Sequence, residues 1–371
     1  MRILLDARTA TPHFPGIGRY VRCLTEALRQ ELEESDALTL LVSGGHRLSC
    51  GDGVELLQLN RRVGLLGGVS GGGDLVRQVE RSKPDVVHLP FPLVTLKSHV
   101  PVVVTLHDFI PLHRPCGEAW RAKLAWHLIG RPTLRRADRL IVVSQAVADE
   151  CRQRLGEQTG AKIEVIHHGV EPHYSIAAAA AGEGLCRRKG LPDSYLLYLG
   201  SDRPHKNLDV LLRMVAVDKE AQLVPLVVAG LQSDTPHLRR KVAEMGLAGR
   251  VVIAGEVAES DLPALYAGAR AFLFPSFDEG FGLPLLEAMA CGTPVICSTI
   301  APFRETGGGA ALFVDPANHI EWYRACRQVV TSQERYNDLR ERCLKQAEQF
   351  TWRKTAAATV AVYRKCMEEK Q

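Results

Sequence analysis

With 371 residues, 46% hydrophobic and 24% charged, the chain is ordinary for a globular protein and long enough for two cores. Its net charge of +4 is too mild to argue for nucleic acid, though it permits an acidic ligand or an anionic membrane surface. The ten cysteines have no C-x-x-C pairs and no His partners at metal spacing, and several, such as Cys291 and Cys297, fall in apolar runs, so buried thiols in a reducing cytoplasm are expected instead of disulfides or zinc.

MRILLDART opens on a strand, Ile3 to Ala7, with no basic n-region or apolar h-region, and no apolar run approaches the ~18 residues of a membrane span. Neither export nor a membrane-spanning segment is expected. A loop leads to a helix starting near GIGRY (Gly16 to Tyr20) and reaching about Gln30. Strand, Gly-rich turn and helix can cradle a phosphate, but GIG lacks the third glycine of a dinucleotide fingerprint, so a tight turn without ligand stays equally open. Strands are predicted at Leu38 to Ser43 and Val54 to Leu59. Arg61 to Asp74 then carries six glycines and reads as a surface loop, or as a lid over an acceptor. Two more strands, Asp85 to Leu89 and Val102 to Leu106, follow, the second running into LHDFIPL. His107 and Asp108 therefore stand at the carboxyl end of a buried strand, the edge where open α/β sheets take ligands. Between Glu118 and Arg139, Trp120 and Trp126 interleave with basic residues. That pattern suits either a helix lying on an anionic membrane or one packed on its own sheet with its charges in water. Leu140 to Ser144 and Ile163 to Val170 complete a doubly wound α/β domain.

Ile176 to Gly184, IAAAAAGEG, has nothing to bury and reads as a linker. Alternation restarts at Tyr195 to Ser201, Leu226 to Gly230 and Val251 to Ala254. The first of these strands ends in DRPHKNLDVLL, which places Arg203, His205 and Lys206 at the start of the next helix. Cations at the positive end of a helix dipole call for an anion; Lys206 offers a point charge to a diphosphate and Arg203 a fork. Ala271 to Ser298 reads as strand, loop, helix, strand, with Pro284 opening the helix and Gly292 ending it. Glu279 in the loop and Glu287 in the helix, eight positions apart, can face one crevice and accept from vicinal sugar hydroxyls. No Asp-x-Asp, H-E-x-x-H, P-loop or G-x-S-x-G occurs, so diphosphate charge falls to protein cations and helix N-termini, without a metal.

The string EGFGLPLLEAMACGTPVI resembles the E-x7-E signature of the retaining nucleotide-sugar glycosyltransferases of family 4. The resemblance implies an α/β protein of the GT-B fold, two Rossmann-like doubly wound domains facing a cleft, here 1–175 and 185–351, with a C-terminal helix, 352–371, crossing back to the first. It implies that Glu279 meets the donor sugar, Glu287 the ribose, and that His107, with Asp108 beside it, lies next to the sugar. It also implies that Gly16 and Gly18 reach the pyrophosphate, with Arg19 as a neighbour, and that Gly255, Phe281, Gly282 and Leu283 line the donor site. Lys206 matches the family's phosphate-binding lysine. Where many members carry an arginine directly after the glycine, this chain has Ser201, which leaves Arg203 as the substitute.

DART, GIGRY, LHDFIPL and PHKNL together are similar to bacterial mannosyl- and rhamnosyltransferases that build O-antigen or exopolysaccharide. The implied enzyme is a cytoplasmic, metal-independent hexosyltransferase with no cofactor beyond its donor, a GDP-sugar by preference, acting on a glycan or lipid-linked hydroxyl by a front-face mechanism. No nucleic-acid partner is expected, and peripheral contact with the inner membrane stays open. The alternatives are a UDP- or ADP-sugar-dependent transferase of the same fold, or a non-catalytic nucleotide-sugar-binding protein.

Overall fold

The computed structural model describes residues 1–11, 15–43, 53–59, 68–92, 99–113, 119–177, 184–231 and 235–370. Two parallel sheets organise them. The first holds β1 (Arg2–Asp6), β2 (Ala37–Ser43), β3 (Val54–Leu59), β4 (Val86–Leu89), β5 (Val102–Leu106), β6 (Arg139–Val142) and β7 (Ile163–Val165), in the order β3-β2-β1-β4-β5-β6-β7. The second holds β8 (Tyr195–Leu199), β9 (Leu226–Ala229), β10 (Val251–Gly255), β11 (Ala269–Phe274), β12 (Val295–Ser298) and β13 (Leu312–Val314), in the order β10-β9-β8-β11-β12-β13. Central strands such as β4 (VVHL) and β5 (VVVTL) are buried throughout, as continuous apolar runs must be when helices cover both faces of a parallel sheet. The strand order reverses between β1 and β4, paired Leu4 to Val87, and between β8 and β11, paired Leu197 to Phe272. At such switch points the loops leave toward opposite faces, and the carboxyl ends of the strands border a crevice.

The chain divides into two compact units, Met1–Gly169 with Thr351–Gln371, and Val170–Phe350. The helices that matter below are α1 (Pro15–Glu31), α2 (Ala119–Ala125), α3 (Arg131–Arg136), α4 (Leu208–Val217), α5 (Leu283–Ala290) and α6 (Trp352–Glu368). In the first unit, α6 starts at an N-cap, Thr351, whose side chain accepts from Lys354 N–H. Its buried stripe, Trp352, Ala356, Val360 and Tyr363, follows helical spacing and packs with Tyr20, Val21, Leu24 and Leu28 of α1. Each such large apolar side chain contributes about 1.5–3 kcal/mol on burial, which accounts for the last helix belonging to the first unit. In the second unit, α5 ends with Gly292 N–H bonded to Met289 O and Thr293 N–H to Ala288 O, both 2.9 Å, the double bond of a Schellman stop.

Several expectations need correction. α1 begins at Pro15, near GIGRY as expected, but Gly16 and Gly18 lie in its first turn instead of in a separate glycine-rich turn ahead of it. The glycine-rich stretch is a loop at most over residues 61–67, which lie outside the described residues, because a helix runs Gly68–Ser82. Leu75 and Val79, one turn apart and buried, anchor that helix, and tertiary burial outweighs the ~1 kcal/mol that each glycine costs. The alanine-rich linker falls largely on 178–183, also outside the described residues. The division of units falls earlier, because Val170 N–H bonds Phe350 O and Tyr174 is buried edge-on to Tyr266 in the second core. Among the described residues, no helix is long and apolar enough to cross a membrane.

Candidate active site

In the second unit, two loops at the β8–β11 switch point are tied together. After β8 the chain passes Arg203, exposed, and makes a tight 3-10 turn, Pro204–Lys206, before α4. Asn207 joins the two with a left-handed backbone (φ 55°), a conformation that asparagine tolerates better than most residues. Its Nδ2 donates to Pro275 O (3.0 Å) and Pro316 O (2.7 Å), and Phe277 N–H donates to His205 O (2.8 Å). These bonds place Lys206 Nζ 2.5 Å from Glu279 Oε1, an oxygen that also accepts from Ser276 Oγ at 2.8 Å. The ion pair is shielded, with side-chain exposures of 22% and 12%, and Lys206 Nζ lies 5.5 Å from the centre of the Phe274 ring. The cations stand just before the helix, in the turn, instead of in its first turn. Burial and the neighbouring Lys206 lower the pKa of His205.

The glutamates part company. Glu287 is only 2% exposed and accepts from Tyr266 Oη at 2.9 Å. Gly282 caps α5 at φ 107°, where a Cβ would also come within 3.0 Å of the Phe303 ring. Phe281 is buried edge-on to Phe350, and its carbonyl accepts from Thr306 Oγ1 at 2.9 Å. Leu283, half-buried, begins α5, whose positive end faces the loop. Gly255 ends β10, where its carbonyl accepts from Gly230 N–H at 2.9 Å.

In the first unit, the candidates gather at the carboxyl ends of β1, β4 and β5. Just past β5, His107 Nε2 lies 2.9 Å from Pro90 O. A carbonyl only accepts, so Nε2 carries the proton and Nδ1 keeps its lone pair. Burial lowers the His107 pKa to about 4, so the ring is neutral at pH 7. It stacks on His168 (5.4 Å) and meets the edge of Tyr20 (4.8 Å). Behind it runs a buried chain: Tyr363 Oη to His88 Nδ1 (2.6 Å), His88 Nε2 to Thr105 Oγ1 (2.7 Å), Thr105 Oγ1 to Tyr20 Oη (3.0 Å). Asp108 caps the short turn after it, accepting from Ile110 N–H at 2.9 Å. Gly18 lets residues 10–11 approach, since a Cβ there would stand 3.3 Å from Ala10 Cα; a Cβ on Gly16 would meet nothing within 4 Å among the described residues.

Ser276, Asn207, Tyr266, His168 and the buried Asp6–Arg8 pair (2.6 Å) were not singled out from sequence. Only Asn207, next to Lys206 before a helix, carried a local signal. Among the described residues, Glu171, His173 and Glu259 could hold a metal, with ligand atoms within 4.8 Å of one another. Sequence spacing hid that trio, since Glu259 arrives from a distant segment.

Two doubly wound units, one of them holding an ion-paired lysine and glutamate and a buried second glutamate, have the α/β architecture of the GT-B fold. Residues 15–174 match the model described as Glycosyltransferase Family 4, and residues 187–349 the model described as Glycosyl transferases group 1. The chain belongs to this family of glycosyltransferases. It is 36% identical over 174 residues to O-antigen chain mannosyltransferase B of Escherichia coli, covering 46% of this chain and 45% of that protein. It is 29% identical over 226 residues to O-antigen chain mannosyltransferase RfbU of Salmonella typhimurium, covering 61% and 60%. The matched stretches thus span about half the length of these relatives. Among solved structures, sucrose-phosphate synthase from Thermosynechococcus elongatus superposes over 100% of both chains with a TM-score of 0.81 at 19% identity, a likeness of fold.

Proposed function

We propose that this protein transfers a hexose, mannose or rhamnose, from a nucleoside diphosphate sugar to a hydroxyl of a glycan or lipid-linked glycan, with retention at the anomeric carbon. The Lys206–Glu279 pair carries the reading, because it sets a cation for phosphate beside a carboxylate for sugar hydroxyls. On donor binding, Lys206 turns to the diphosphate, helped by Arg203 and the N-terminus of α5, while Glu279 takes the sugar. Glu287 accepts from the ribose, sharing its carboxylate with Tyr266. His107 offers its Nδ1 lone pair to a sugar hydroxyl. As the glycosidic bond breaks, these groups stabilise charge on the departing phosphate, whose oxygen removes the acceptor's proton. The similarity to O-antigen mannosyltransferases supports mannose as the sugar and an O-antigen glycan as the acceptor. GDP as the nucleotide, and work at the inner face of the cytoplasmic membrane, are further parts of the proposal.

A thermal-shift panel of GDP, UDP, ADP and their sugars tests this. GDP and GDP-mannose are expected to stabilise most, by about 2.7 kcal/mol at a hundred times the dissociation constant. A larger UDP or ADP response would reassign the base, binding without turnover would make the protein a binder, and no response at all would remove the reading. Protein groups are proposed to neutralise the diphosphate alone, so transfer in excess EDTA should keep most of its rate. Loss of rate that magnesium or manganese restores would overturn that part.

A further inference from the structure

Residues 119–136 form one helical rod: α2, a π turn over Trp126–Gly130, and α3. Two rows run along it. Trp120, Leu124 and Leu128, four residues apart, are 65%, 43% and 64% exposed. Lys123, His127, Arg131 and Arg135, also four apart, form the second row. A four-residue step overshoots one turn of an α-helix, with 3.6 residues per turn, and falls short of one in the wider π turn. The π turn therefore brings both rows back into line. The rod is held from beneath by buried Thr133 and Leu134 and by Trp126, edge-on to Phe109 at 5.4 Å.

Six large hydrophobic residues are exposed among those described, and three fall in this one row, so they are not the scattered surface residues found on any protein. Beside them opens a cavity of about 460 Å³ lined by Leu112, Lys123, Trp126, His127, Arg131 and Arg154. Among the described residues its lining holds no acid; Arg154 reaches out of it to Glu150 (2.5 Å), which also lies 2.5 Å from His113 Nε2. A soluble anion would use the cations and leave the Trp/Leu row in water, and an apolar protein surface would leave the cations without counter-charge. An anionic bilayer satisfies both.

We propose that this face docks on a bilayer containing anionic phospholipid, with Trp120, Leu124 and Leu128 entering the acyl boundary and the basic cavity taking a lipid phosphate. The proposal rests on the reading of a membrane-linked acceptor and locates the surface that brings the enzyme to it. The test is cosedimentation with phosphatidylcholine vesicles, with and without phosphatidylglycerol, for the full chain and two variants of this face, Trp120→Ser/Leu128→Ser and Lys123→Gln/Arg131→Gln. Binding is expected only with phosphatidylglycerol, weakened about fivefold per cation removed and also lost in the apolar variant. Unaltered melting and nucleotide-induced shifts in both variants would show that the fold and donor site are intact. No vesicle binding, or binding that the apolar variant keeps, overturns the proposal, and full competition by free inorganic diphosphate would make the cavity a site for soluble anions instead. Vesicle binding is read without donor, so its failure leaves the nucleotide panel untouched, and failure of the panel leaves docking standing.

Discussion

Lys206 and Glu279 hold each other before any donor arrives, so each substitution has two effects. Lys206→Ala leaves a largely shielded carboxylate with only the Ser276 hydroxyl among its described hydrogen bonds, and it also removes the phosphate cation. Arg203 is exposed and must be ordered by the ligand, which reduces what it can contribute. Lys206→Ala is therefore expected to cost about 1.5–3 kcal/mol of donor affinity, in the range of hydrogen bonds to charged groups, and Arg203→Ala less. Calorimetric titration at two ionic strengths decides it. Equal losses would give Arg203 the full role of the missing family arginine, and no loss for Lys206 would take this turn out of the site. Glu287 poses a different question, because Tyr266 already occupies part of its carboxylate. If ribose shares it, Glu287→Ala weakens nucleoside diphosphate binding by about 1.5–3 kcal/mol while Tyr266→Phe changes it little. If the Glu287 carboxylate serves only partners within the protein, both variants lose melting temperature and neither loses nucleotide affinity.

The loop and helix from Phe277 to Ala290 act through backbone geometry more than through any one contact. Gly282→Ala must place a Cβ at φ 107° against Phe303, and a left-handed backbone alone costs about 1–2 kcal/mol. The variant should melt lower and lose kcat/KM through a displaced N-terminus of α5; a wild-type melt and rate would show that the turn is not held by that ring. This element was legible in the sequence because proline and glycine punctuate it and the strand before it is an unbroken apolar run. The two-sheet fold was legible for the same reason, strand after strand. What joins the elements was not. Lys206 and Glu279 are 73 positions apart, and Tyr363 and His88 are 275 apart. Strand order brings the first pair together and the packing of α6 on α1 the second, and no local period encodes either. The helix at Gly68–Ser82 was misread in the opposite sense: six glycines spoke for a loop, while the two anchoring residues, Leu75 and Val79, lay just beyond them.

At the scale of the molecule, acid should act unevenly on the two units. Burial lowers the pKa of His107 to about 4 and of His88 to about 3, and lowers that of His168 well below the ordinary value; all three lie in the first unit. In the unfolded chain each titrates near 6.5. Below that pH the unfolded state binds more protons than the folded one, so the stability these neutral rings contribute is complete above about pH 6.5. It is lost as pH falls toward their folded values, at up to ~1.4 kcal/mol per pH unit for each ring. Depressed carboxylates such as Asp218 act in the same direction but only at lower pH, which leaves the window from about 6.5 to 4.5 to the histidines. In the second unit, His205 also has a lowered pKa, so a weaker response is expected there. Calorimetric melting at steps from pH 7.5 to 4.5 should show the first unit's transition moving down more steeply than the second's. His88→Gln keeps a polar partner for Tyr363 and Thr105 but cannot titrate, so its melting temperature should be lower at neutral pH and its pH slope shallower than wild type. Tyr363→Phe, which removes the hydroxyl that α6 sends to His88 Nδ1, should lower stability while leaving the slope in place, since burial and not that bond sets the pKa. An unchanged slope in His88→Gln would mean that the buried chain behind His107 is not what makes this fold sensitive to acid.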